Sequence, residues 1–197
     1  MFTEWGAAVG PIKWPLVFKF LYENHIDRHL VDLIFRTLHY SLNTRVKLLN
    51  MGLSEHRLCT RCYAFPETEK HIFIECRNTL EIWERALLYI TKIYPEAHKL
   101  SRIRLIIIGF GDLSQCKPSL NVLEDIRHAF FKAAYLQRNR SLGQHTIIDG
   151  VQVFIDTLKT LIKTRYSLAS RRKNLDSFKQ YFLICTLNNC DVTLVRI

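Results

Sequence analysis

The chain has 197 residues, 48% of them hydrophobic, which suits one domain or one and a half with a real core. Its formal charge is +10, from 28 basic and 18 acidic residues, and that sign favours nucleic acid or another polyanion as partner. There is no apolar run near eighteen residues, so no membrane helix is expected, and Met1 to Gly10 lack the pattern of a secretory signal.

Residues 1–11 read as a loosely ordered N-terminus. Pro15 suits the first turn of a helix, with Leu16, Val17, Phe20 and Leu21 as its buried stripe. A second helix is expected from about Ile26 to Tyr40. Leu30, Leu33, Ile34, Thr37 and Leu38 recur on one face, and Asp27 complements the dipole at its start. Thr44 reads as the N-cap of a short helix, Arg45 to Met51, stopped by Gly52.

The most informative stretch follows. Cys59 and Cys62 are separated by two residues, and eight residues later His71 and Cys76 are separated by four. Zinc takes a tetrahedron of thiolate and imidazole donors, and Cys₃His is a closed set. With all four positions filled, a structural Zn²⁺ is expected and a catalytic one is not. His56 stands nearby, but its offset from Cys59 suits chelation less well. The other cysteines, Cys116, Cys185 and Cys190, have no ligand-like partners and read as small apolar residues. A loop of this length has little core of its own, so the metal must hold it. Structural zinc contributes on the order of 10 kcal/mol in small fingers.

The flanking residues carry a resemblance. Leu42-Asn43-Thr44-Arg45-Val46-Lys47-Leu48 precedes the site, Glu67-Thr68-Glu69-Lys70-His71-Ile72-Phe73 runs into it, and Ile82-Trp83 follows. This resembles the zinc-binding region downstream of the reverse transcriptase in non-LTR (LINE-type) retrotransposons, most specifically over about residues 28–85. Ile108-Gly109-Phe110 and Tyr135-Leu136-Gln137-Arg138 extend it more loosely. The resemblance implies a region that holds template RNA or target DNA near a polymerase, here as a separate, domesticated chain.

Beyond Cys76, Asn78 and Glu81 suggest a capping box opening a helix to about Ile93, with Leu80, Trp83, Leu87 and Ile90 on one stripe. Trp83 offers a base-stacking face or, as is commoner, packs the helix against the zinc loop. Leu105-Ile106-Ile107-Ile108 fits a buried helix or a strand. A loop from about Phe110 to Pro118 is the best candidate for a hinge. Helices are then expected over Leu120 to Arg138, with Leu123, Ile126, Phe130, Ala133 and Ala134 inward, and over Val151 to Ala169, with Phe154, Leu158, Leu161 and Ile162 inward. A shorter helix from Leu175 to about Ile184 precedes a tail. The expectation is an all-α fold with an irregular zinc-stapled loop. It divides into a zinc-binding region, 12–110, and a basic region, 119–186, packed on it or hinged, with 187–197 as tail.

The charge is uneven. Residues 1–100 carry a net +2, and residues 101–197 a net +8. Lys159, Lys163, Arg165, Arg171, Arg172, Lys173 and Lys179 stand close together against one acid, Asp176, with Tyr166, Phe178 and Tyr181 interleaved. This is the expected phosphate-contacting surface, against the plainer reading of a solvated helix face. Arg57, Arg61 and Lys70 form a smaller cluster around the zinc loop, where Tyr63, Phe65 and Phe73 offer stacking faces or core. Arg171-Arg172-Lys173 also has the composition of a nuclear import signal, so a nuclear or nucleocytoplasmic location is expected. There is no Tyr-x-Asp-Asp and no phosphate-binding Gly-rich loop. Glu124 and Asp125 are adjacent on a helix, so their side chains diverge. The sequence therefore reads as a protein that binds RNA or DNA without catalysis. The competing reading is a zinc-stapled module that docks another protein.

Overall fold

The structure is a computed structural model that describes residues 12–23, 27–113, 119–144, 146–188 and 191–195. The N-terminal residues 1–11, Cys116 and Cys190 lie outside this set, so the readings made of them are not addressed by it. Among the described residues, six α-helices and several tighter or wider helical turns make the molecule mostly helical, as the residue pattern predicts.

Helix α1 spans Trp14–Glu23 and buries Val17 and Leu21, while Leu16, expected inward, is exposed. Helix α2 spans Arg28–Leu38. Asp27 caps it by accepting from His29 N, and Leu30, Leu33, Ile34, Thr37 and Leu38 are all buried. Helix α3, Arg45–Asn50, starts where Thr44 accepts from Lys47 N, and Gly52 ends the segment with φ of 71°. After the zinc loop, α4 spans Arg77–Ile93. Its N-cap is Cys76, with no side-chain cap bond, so the Asn78 capping box is corrected. Asn78 instead donates to Arg61 O at 2.8 Å. The buried face is Ile82, Trp83, Ala86, Tyr89 and Ile90, one residue round from the expected stripe. Trp83 meets Phe130 edge-on at 5.3 Å, so it packs against a later helix and has no face for a base.

The apolar run after Ser101 resolves as a π-helical turn, Arg104–Ile108, with Leu105 to Ile108 buried. Wide turns leave carbonyls without the usual helical partner, and here an arginine supplies one. Arg127 donates through Nε to Ile106 O (2.6 Å) and through Nη2 to Ile107 O (2.9 Å), while Nη1 pairs with Glu124 at 2.7 Å. Glu124 in turn accepts from Phe110 N at 2.8 Å. Gly109, at φ of 75°, lies against this pair, and a Cβ there would come within 2.4 Å of Glu124 Oε1. The first residues of the expected hinge are thus clamped; residues 114–118 lie outside the described set.

Helix α5 spans Leu120–Gln144 and runs through the centre, with every residue from Val122 to Phe131 buried. Arg127 and Arg138 on this helix are buried too. Helix α6, Gly150–Arg171, buries Phe154, Leu158, Leu161 and Ile162 as expected. A 3-10 helix, Leu175–Leu183, follows. The expected tail from residue 187 is corrected: strands β1 (Cys185–Asn188) and β2 (Asp191–Leu194) form an antiparallel hairpin that packs on α6. Their short alternation of buried Val192 and Leu194 with exposed Asp191 and Thr193 is a weak signal without a neighbouring strand in view. One hydrophobic core runs from α1 to the hairpin, including Phe73 and Ile72 of the zinc loop.

Candidate metal centre and basic surface

The zinc loop is built by two different turns. Leu58 and Pro66 form an isolated antiparallel bridge, and Cys59 N donates to Phe65 O at 2.9 Å. Between them Tyr63 N returns to Cys59 O, and Tyr63 takes a positive φ of 54°, which reverses the chain just past Cys62. On the other side, Thr68 Oγ1 accepts from His71 N at 3.0 Å and starts the segment. His71–Glu75 is a π-helical turn closed by Cys76 N donating to His71 O at 2.9 Å. Five steps of an ordinary α-helix cover about 1.4 turns and would point His71 and Cys76 apart. The wider turn brings them back to one side, so the four-residue gap works as a chelating gap.

Cys59, Cys62, His71 and Cys76 meet with their donor atoms all within 4.8 Å of one another. Cys62 Sγ lies 3.3 Å from His71 Nε2. Zn–S and Zn–N bonds of about 2.3 and 2.0–2.1 Å ask for donor separations of roughly 3.3–3.8 Å, so slight closure completes a tetrahedron. His56 is elsewhere, paired with Arg45 at 2.9 Å. The thiols are already unequal. The Cys59 thiol is pulled far down, first by the hydrogen bond from Cys76 and then by His71 and Arg61, against the effect of burial. Cys76 is pushed up chiefly by the same bond and by burial. A cation binding here displaces the proton the pair shares.

Arg61, expected as a surface cation, is corrected: it is 1% exposed. Its Nη2 donates to Ile72 O (2.8 Å) and its Nη1 to Thr79 Oγ1 (2.7 Å), with longer bonds to Ala134 O and Gln137 Oε1 on α5. No carboxylate pairs with it among the described residues. Buried charges need a counter-charge. Zn²⁺ with three thiolates and a neutral imidazole carries a single net negative charge, and Arg61 sits in the same knuckle to balance it. This observation, with the donor set, fits zinc.

The residues flanking the ligands interlock with α3 and α5. Glu67 is fully buried and accepts from Arg138 Nη2 (2.7 Å) and Nε (3.2 Å) and from Arg45 N (3.0 Å). Arg138 also donates to Asn43 O at 2.7 Å. Glu69 pairs with Lys47, which also reaches Tyr40 O. Thr60 and Ser141 share a hydrogen bond of 2.7 Å.

A Cys₃His cradle, with Cys59, His71 and Cys76 buried and Cys62 partly so, is stapled to a helical core and fits a zinc-binding region. Residues 10–83 match the model of a family described as zinc-binding in reverse transcriptase. That stretch is similar to a reverse transcriptase-associated zinc-binding region; the match spans less than half of the chain and ends at Trp83. No curated protein and no solved structure matches the chain.

The expected phosphate-contacting residues divide. Arg165 is corrected: its side chain is 18% exposed, and Nε and Nη2 both donate to Asp125 at 3.0 Å. Asp125 also accepts from Tyr181 OH at 2.6 Å, so Tyr181 and Phe178 belong to the core. Glu124 and Asp125 do diverge, each to its own arginine. Arg57, Arg171, Arg172 and Lys173 are exposed, and none makes an ion pair among the described residues. Lys70, Lys163 and Lys179 are exposed in pairs with Glu75, Asp191 and Asp176. Such surface pairs contribute little and open readily to a competing anion. Lys159 is half-buried. Tyr63 and Phe65 stand exposed beside the metal centre, while Phe73 packs on Phe131 at 4.8 Å. No helix among the described residues is long and apolar enough to cross a membrane.

Proposed function

We propose that this protein is a nucleic-acid-binding zinc protein derived from the region downstream of a LINE-type reverse transcriptase, binding RNA or DNA without catalysis in the nucleus. The observation that carries the reading is a stretch similar to a reverse transcriptase-associated zinc region, sharing one core with a C-terminal half whose cations at 171–173 are exposed and unpaired among the described residues. Zinc supplies the rigidity of the loop. Arg57, Lys70 and the exposed aromatics Tyr63 and Phe65 add a second, smaller face beside it.

The test is binding of the zinc-loaded protein to structured RNA and duplex DNA over a salt series. With six phosphate contacts, affinity falls by about three decades between 50 and 200 mM salt. A second reading, a module that docks another protein, is favoured by Met51 and Leu53, which are 61% and 71% exposed after α3. It predicts no nucleic-acid affinity at low salt and a partner interaction indifferent to salt.

A further inference from the structure

A cleft of about 410 Å³ opens where α4, α6 and the hairpin meet, lined by Arg85, Tyr89, Ile155, Lys159, Thr193, Leu194 and Val195. Among the described residues, two cations and no carboxylate line it. Arg85 and Tyr89 are one turn apart on α4, and Ile155 and Lys159 are one turn apart on α6, so each helix contributes a cation beside an apolar or aromatic side chain. Neither the Arg85 nor the Lys159 side chain makes an ion pair or hydrogen bond to another described residue. Asp156, near Lys159 on α6, accepts instead from Gln152 at 2.9 Å. Burial raises the Tyr89 phenol above its ordinary range, so it stays a neutral hydrogen-bonding wall. The volume falls within the range of about 300–1,000 Å³ typical of pockets for small ligands.

We propose that this cleft takes one unstacked nucleotide of a bound single strand. The flat base enters between Ile155, Leu194 and Val195, and its flanking phosphates meet Lys159 and Arg85. Apolar walls recognise the face of any base, and cations track the backbone, which gives strand-type preference without sequence preference. A duplex keeps its bases stacked and offers none to the cleft. The inference rests on the nucleic-acid reading and adds to it a preference for unpaired strand, on a surface that spans both halves of the chain.

The experiment is fluorescence anisotropy of zinc-loaded protein with a fluorescein-labelled single-stranded oligonucleotide, in ribose and deoxyribose forms, and with the matching duplex. Thr193→Trp fills the cleft from an exposed strand position and leaves both cations in place. It should weaken single-strand binding about tenfold or more, with an unchanged salt slope and unchanged duplex binding. Replacing Arg85 and Lys159 together by Gln should lower the single-strand slope by about 1.4. Photo-crosslinking of a 5-iodouracil strand to the wild-type protein should map to peptides carrying Tyr89 or residues 191–195. Wild-type affinity in Thr193→Trp, with crosslinks only elsewhere, would overturn the cleft while leaving nucleic-acid binding intact. No binding of either strand by the wild type at low salt would overturn both.

Discussion

Arg61 sits in the middle of Cys-Thr-Arg-Cys, where a basic residue reads as a surface contact. Its guanidinium instead joins the two ligand turns to α5 through four acceptors. Planar donors in a fixed fork are what this site uses, and a lysine cannot reproduce them. Arg61→Lys is therefore expected to destabilise the zinc-loaded protein by about 2–4 kcal/mol, because buried acceptors lose their donors. Urea denaturation followed by circular dichroism measures it; a change within experimental error would mean that the arginine is dispensable to the fold. Nothing near Arg61 in sequence announces burial, since Ala134 and Gln137 lie 73 and 76 residues away. Arg165 misleads for the same reason, its partner Asp125 being 40 residues back.

At the scale of the element, α5 is the piece around which the others close. His128 lies on it, 6% exposed, with Nε2 lacking a hydrogen-bond partner among the described residues. Burial, helped by Arg127 and Arg165 against the opposing Asp125 and Asp27, lowers its pKa to about 4. An unfolded chain takes up this proton near pH 6.5, whereas the folded one resists until about 4. Stability is thus full above pH 6.5 and is lost as pH falls through that window, by about 3 kcal/mol in total. His128→Gln should flatten the wild-type curve between pH 6.5 and 4, in urea titrations at matched zinc loading. Parallel curves for the two proteins would remove His128 as the cause.

The element boundaries show what sequence could carry. Helix α2 was readable in its buried face and its Asp27 cap, because both are local, although it ends at Leu38 and not at the expected Tyr40. The four ligands were readable because chelating gaps are local as well. The π-helical turns were not, since both depend on something outside the segment. One needs the ligand geometry at Cys76, and the other needs Arg127 from 20 residues on. The hairpin escaped notice because four-residue strands gain definition only from packing on α6.

Across the whole molecule, the zinc loop and the C-terminal half are not separable supports. Phe73 and Ile72 lie in the common core, and Glu67 answers Arg138. Removing zinc with a chelator should therefore do more than free a surface loop. Amide hydrogen exchange is expected to accelerate in residues 57–76 and also in the stretch of α5 around Gln137 to Ser141, with a thermal midpoint lower by several degrees. Faster exchange confined to 57–76 would show that the centre stabilises its own loop alone. Cys59→Ser should reproduce the chelated pattern and lose bound metal.

The Glu67–Arg138 contact spans 71 residues, and this bears on synthesis. At about 5–20 residues per second, the arginine leaves the ribosome roughly 4–14 s after its carboxylate. The ligands, by contrast, are complete within 18 residues of one another. During that interval the nascent knuckle has its metal within reach before its helical partner exists. Zinc capture can thus precede docking, leaving α5 to close over a loop whose shape is already set.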